Sequence, residues 1–125
     1  MELTVHLNRD SVNAGDDLGS HALSIQADSN LSIGELIAQM NRDYLPGIAG
    51  GQATWIISGS GNSPNPLGVL AQQWKEPKLR VSLSTPIGEL LGNPHPSVRF
   101  EYWCQKDPEL VFSLVAAGNM PPPKW

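Results

Sequence analysis

Charge is scarce in this chain, and so are sulfur and aromatic rings. Lys and Arg total 8 of 125 residues against 12 Asp and Glu, giving a formal net charge of −4. The basic residues form no patch, which argues against a nucleic-acid partner, because phosphate neutralisation needs clustered cations. One cysteine, Cys104, excludes an intrachain disulfide and fits a reducing compartment. It also excludes a cysteine-held iron–sulfur cluster, which takes about four thiolates. No apolar run approaches the roughly 20 residues that cross a bilayer. The first residues, MELTVHLNRD, lack the basic start and apolar stretch of a signal peptide. The expectation is a cytoplasmic protein with neither nucleic acid nor membrane as partner.

Reactive constellations are missing too. His6, His21 and His95 have no ligand spacing, and Cys104 stands alone, so a closed metal site is not expected. Asp10, Asn13, Asp16 and Asp17 make an oxygen-rich loop. Counted from Asp10, however, Val12 and Ala14 occupy two positions where a calcium loop places oxygen ligands. Glu35, Glu89, Glu101 and Asp107 fall in separate elements and do not converge as an acid–base pair. No G-x-S-x-G elbow is present. Gly59–Gly61 is too short for a phosphate loop and has no lysine. No catalytic residue, cofactor or metal is therefore expected, and Cys104 is read as a buried structural thiol in phase with Phe100 and Tyr102.

What the chain does have is glycine and proline, 12 and 11 residues. They point to a loop-rich α+β or all-β protein. The length suits one domain able to bury a core unaided. Glu2–Asn8 alternates, with Leu3, Val5 and Leu7 on one face, as a half-buried strand does. Arg9–Ser20 is a polar loop. His21–Ala27 alternates again around Leu23 and Ile25. Ile33, Leu36, Ile37 and Met40 repeat at helical spacing, and Ser32 with Glu35 forms a capping box, which predicts a helix over Ile33–Tyr44. Ala53–Ile57 is apolar on both faces and reads as a central strand. Leu67–Trp74 and Lys78–Leu83 follow as strands.

Beyond Thr85, Ile87–Leu91 has room for a turn or two of helix, and Ser97–Cys104 is a strand candidate. Asp107 and Pro108 suit an N-cap and first helical residue, with Leu110, Val111, Leu114 and Val115 toward the core. Three successive prolines make the end of the chain an extended tail. The domain is expected over residues 1–117, with a C-terminal extension from about 85 and a flexible Pro-rich tail at 118–125.

The order strand, loop, strand, helix, strand, strand, strand resembles a ubiquitin-like β-grasp. LSIGELIAQMNRDYLP stands at the place of its helix and TWIISGSG at the place of its third strand. The resemblance covers about residues 1–83 and implies a mixed sheet crossed by one principal helix, with an added strand and helix after it. The chain also looks like small actinobacterial proteins of uncharacterised function, which implies no activity. Among β-grasp classes, the carriers and modifiers end in Gly-Gly, whereas Gly50-Gly51 here is internal. Partner binding is the class left.

The chain is accordingly expected to be a non-enzymatic protein-binding module, such as an immunity- or antitoxin-like inhibitor or an adaptor. Its partner would be another protein, of basic character. The expected contact residues are Asp10, Asp16 and Asp17 in the acidic loop, which would steer that partner, and Trp74 and Trp103, which would anchor it. Half-buried aromatics are common, so the two tryptophans covering each other or a C-terminal helix is the plainer reading. The alternative is a small-molecule site or enzyme pocket between sheet and extension, lined by His95, Glu101, Tyr102 and Trp103. A homo-oligomer paired through an uncovered edge strand, Leu67–Trp74 or Val98–Cys104, is a third reading.

Overall fold

A computed structural model describes residues 1–12, 20–48, 51–92 and 94–121. The first strand, β1 (Glu2–Arg9), buries Leu3, Val5 and Leu7 and exposes the residues between them, as the alternation requires. It pairs antiparallel with β2 (Leu23–Asp28), Val5 facing Ile25 and Leu7 facing Leu23. The expected core pair in β2 is only half realised. Ile25 packs against the core, but Leu23 is 41% exposed. Leu23 begins an edge strand, so one flank of its side chain has no neighbouring strand.

Helix α1 (Ile33–Asp43) buries Ile33, Leu36, Ile37 and Met40, the residues at helical spacing. Ser32 Oγ accepts the Glu35 N–H at 3.1 Å. The Ile33 and Gly34 N–H groups donate to the carbonyls of Thr85 and Leu83, both at 2.9 Å. This explains why the predicted strand Lys78–Leu83 stops early. β5 is only Lys78–Leu79, because the chain after it turns to satisfy the open N–H groups of α1 instead of extending the sheet.

β3 (Thr54–Gly59) is buried on both faces, as its sequence suggests. β4 (Gly68–Ala71) pairs with it antiparallel, and β5 pairs with β4. The short helix α2 (Ile87–Leu91) adds Ile87, Leu90 and Leu91 to the main core. β6 (Ser97–Tyr102) then enters the sheet parallel to β1 and antiparallel to β3. α3 (Pro108–Ala116) follows, capped by Asp107, whose side chain accepts the Glu109 N–H at 3.0 Å.

Among the described residues the architecture is α+β: one mixed six-stranded sheet, in the order β2-β1-β6-β3-β4-β5, with three helices. This corrects two sequence expectations. The strand expected as part of an appendage is β6, which lies inside the sheet and alone joins β1 to β3. Neither strand proposed as an open edge is one: β4 lies between β3 and β5, and β6 between β1 and β3. The open edges are β2 and β5. Sequence order cannot show this, because a strand that arrives late can be inserted between two made earlier.

Two cores follow from the alternation of strand side chains. On one face α1 and α2 cover Leu3, Val5, Leu7, Trp55, Ile57, Leu70, Val98 and Phe100. On the other, α3 covers Ile56 and Val69, with Trp103, Val111 and Val115 completing a smaller cluster. Among the described residues no helix is long and apolar enough to cross a membrane.

Candidate functional site

Apolar surface reaches solvent beside the second cluster. β6 ends at Tyr102, and the chain turns sharply through Cys104, which takes a left-handed φ of 56°. Thr54 pins this turn to β3. Its carbonyl accepts the Trp103 N–H and its N–H donates to the Cys104 carbonyl, both at 2.8 Å. Its hydroxyl donates to the Lys106 carbonyl at 2.6 Å. Thr54 is fully buried and every polar atom it carries is satisfied, so it fixes where α3 begins.

From that start α3 sends Val111 and Val115, four residues apart, down onto Ile56 and Val69. Leu110 and Leu114, also four apart, were expected in the core. Instead they stand to one side, and Leu110 is 59% exposed. An apolar stripe of four residues, in two columns side by side, is broader than the two strands beneath it can cover. The remainder forms the wall of a groove of about 170 Å³, with Trp103, Lys106, Asp107 and Pro121 as its other lining. Met120, also exposed, adjoins it in sequence.

Trp103 is 8% exposed and lines that groove beneath α3, in line with the plainer reading of this residue. Trp74 is half-buried and packs against the same cluster. Lys78 Nζ lies 5.0 Å from the Trp74 ring centre and 2.5 Å from Glu109 Oε2. The two tryptophans thus serve one apolar cluster, and a cation from β5 ties Trp74 to the first turn of α3.

Asp10 lies at the same end of the sheet. β1 and β6 run parallel, and Thr54 at the start of β3 faces Ala71 at the end of β4. Asp10, Trp103 and Trp74 therefore lie at a common end, with Asp10 beside the end of β6 that Trp103 follows and three strand spacings, about 14 Å, from the end of β4 that precedes Trp74. The Asp10 carboxylate is 18% exposed. It accepts from Arg99 Nη2 at 2.7 Å and from the Tyr102 N–H at 3.1 Å. It is built into the fold as well as placed at the surface. Asp16 and Asp17 lie outside the described residues.

The pocket expected from His95, Glu101, Tyr102 and Trp103 is not assembled. Tyr102 packs in the α1 core, its ring 5.1 Å from Trp55, whereas Trp103 belongs to the α3 cluster. His95 lies at the opposite end of β6, about 20 Å of extended chain away, with its ring 6.3 Å from that of His6. Cys104 is half-buried rather than buried, because the strand has ended and the thiol sits on a turn. Among the described residues no three His, Cys, Asp or Glu side chains group as metal ligands.

Two phenols are perturbed. Burial pushes Tyr44 above its ordinary value, partly offset by the Arg9 guanidinium, which lies 6.0 Å from its ring centre. Its hydroxyl donates to the His21 carbonyl. Burial likewise raises Tyr102, and Cys104 adds to the effect. Both residues are partly buried and pack against the α1 core.

No protein-family model, curated protein or solved structure matches the chain.

Proposed function

We propose that this chain is a non-enzymatic protein-binding module on a ubiquitin-like β-grasp. The support for the fold name is topological. A first hairpin, β1–β2, is followed by a crossing helix, and the last strand returns parallel to the first at the sheet centre. An immunity- or antitoxin-like inhibitor, or an adaptor, is the class this reading favours.

The observation that carries the binding reading is the groove beside α3. Leu110 is more than half exposed at the rim of an apolar trough next to Trp103, on a chain with few exposed large apolar residues among those described. An apolar side chain of a partner would seat there, flanked by Lys106 and Asp107. Net charge of −4 favours approach of a basic protein. A cytoplasmic setting, with neither nucleic acid nor membrane as partner, belongs to the same reading. The dispersal of His95, Tyr102 and Trp103 weighs against the small-molecule alternative.

The test uses immobilised full-length chain as bait in a native lysate, followed by calorimetry with the purified captured protein. Leu110→Glu is the control bait. A specific partner whose binding falls at least tenfold with Leu110→Glu, while thermal stability is unchanged, supports the proposal. Capture of nothing above background, or equal binding by both baits, overturns it.

A further inference from the structure

The two open edges of the sheet are unequal. β5 is two residues long, follows Pro77 and carries Lys78, features that discourage strand addition. β2 has none of these protections. Leu23–Asp28 reads LSIQAD, without proline, glycine or lysine, and its only charge is the terminal Asp28.

The hydrogen-bond phase of β2 is fixed by one contact. The Ser29 N–H donates to the Met1 carbonyl at 2.7 Å. In the register that pairs Leu3 with Ala27 and Val5 with Ile25, the odd residues of β2 therefore point their main-chain groups at β1. Ser24 and Gln26 point theirs outward. Their side chains cannot fold over to cap the edge, since each is tied sideways to β1. Ser24 Oγ lies 3.0 Å from His6 Nδ1, and Gln26 Nε2 donates to Thr4 Oγ1 at 2.8 Å. Among the described residues no main-chain partner meets the outward groups of Ser24 and Gln26.

We propose that a second copy of this chain pairs on β2, antiparallel, about a two-fold axis through Ile25. Ser24 then pairs with Gln26 of the second copy, and Gln26 with its Ser24, through about four main-chain hydrogen bonds. This register keeps α1 of both copies on one face of a continuous sheet. Ile25 meets Ile25 of the second copy as a close, non-hydrogen-bonded pair. The exposed Leu23 is covered by Ala27 of the second copy. No like charges face each other, because each Asp28 falls opposite an uncharged Ala22. The strand is thus complementary to itself in shape, phase and charge, which is what an isologous contact needs.

The inference is independent of the α3 groove, which lies toward the other edge of the sheet. It is tested by sedimentation velocity across a concentration series, with crosslinking to read the register. Wild type is expected to shift toward twice the chain mass as concentration rises. Gln26→Pro removes an outward N–H and no main-chain bond to β1, losing only the side-chain bond to Thr4 Oγ1, and is expected to weaken dimerisation at least tenfold. Leu23→Lys, at an already exposed position, keeps the test open if the proline variant fails to fold, and is expected to weaken it likewise. In a Cys104→Ser background, Ile25→Cys is expected to form a disulfide dimer faster than the more exposed Leu23→Cys. Monomer at every concentration, a dimer indifferent to both β2 variants, or faster crosslinking by Leu23→Cys would overturn the proposal. So would a different protein found paired on β2.

Discussion

Arg99 Nη2 lies 2.7 Å from Asp10 Oδ1, and the other oxygen of the same carboxylate takes the Tyr102 N–H. The residue just past β1 thus holds the strand that lies beside it in the sheet. The two contacts are unequal. Arg99 is half exposed, so its ion pair is screened by water. The Tyr102 N–H is partly buried and depends on Asp10. Asp10→Ala is expected to lower stability by about 1–3 kcal/mol, because it strands a backbone donor. Arg99→Gln should lose less than about 1 kcal/mol. Urea unfolding of the two variants checks the order, and equal losses would contradict it.

The tryptophan beneath α3 and the leucine on its rim should separate structure from binding. Trp103→Ala removes a large side chain from a packed cluster and is expected to destabilise by about 3–5 kcal/mol. Leu110→Ala, at an exposed site, should stay within about 0.5 kcal/mol of wild type. Thermal unfolding of both variants decides this.

Gly61 has φ of +63°, and a Cβ built there would lie 2.5 Å from the Leu91 carbonyl oxygen. The turn after β3 is pressed against the end of α2, so neither the torsion nor the space admits a side chain. Gly61→Ala is expected to cost more than about 1 kcal/mol, read as a fall in the urea midpoint at constant slope.

Stability should decline at alkaline pH in part through two tyrosines. Tyr44 and Tyr102 are both raised above the ordinary tyrosine value in the fold. The native state therefore holds their protons more tightly than the unfolded chain does. Their contribution is complete below the unfolded value near pH 10 and is lost as pH rises through the folded values. A Tyr44→Phe, Tyr102→Phe double variant is expected to show a shallower decline in melting temperature above pH 10. An unchanged slope would refute the assignment.

Local elements were readable from residue pattern. The alternation of β1, the capping box and apolar spacing of α1, the doubly apolar β3 and the Asp-Pro start of α3 each express a preference set within a few residues. What escaped was decided at a distance. Nothing in SVRFEY distinguishes an appended strand from a central one; its place depends on β1 and β3 both presenting unpaired edges. The exposure of Leu110 was hidden for a similar reason. Its helical phase says it is apolar and lies near Val111, but the width of sheet available beneath α3 is a tertiary quantity. A stripe of four apolar residues on a helix of nine was the one available hint. The strand Lys78–Leu83 failed because carbonyls at Leu83 and Thr85 were needed at the head of α1.

Because β6 bridges the β1–β2 hairpin to β3, β4 and β5 among the described residues, the sheet is two pieces until residues 97–102 arrive. A nascent chain on the ribosome would hold the two halves of the sheet unpaired, joined only through the α1 side of the core, until that segment cleared the exit tunnel. The same geometry makes the gap between β1 and β3 a slot of defined register. A chain cut before Ser97 should lack native pairing, and should regain it when a separate peptide carrying β6 and α3 is supplied.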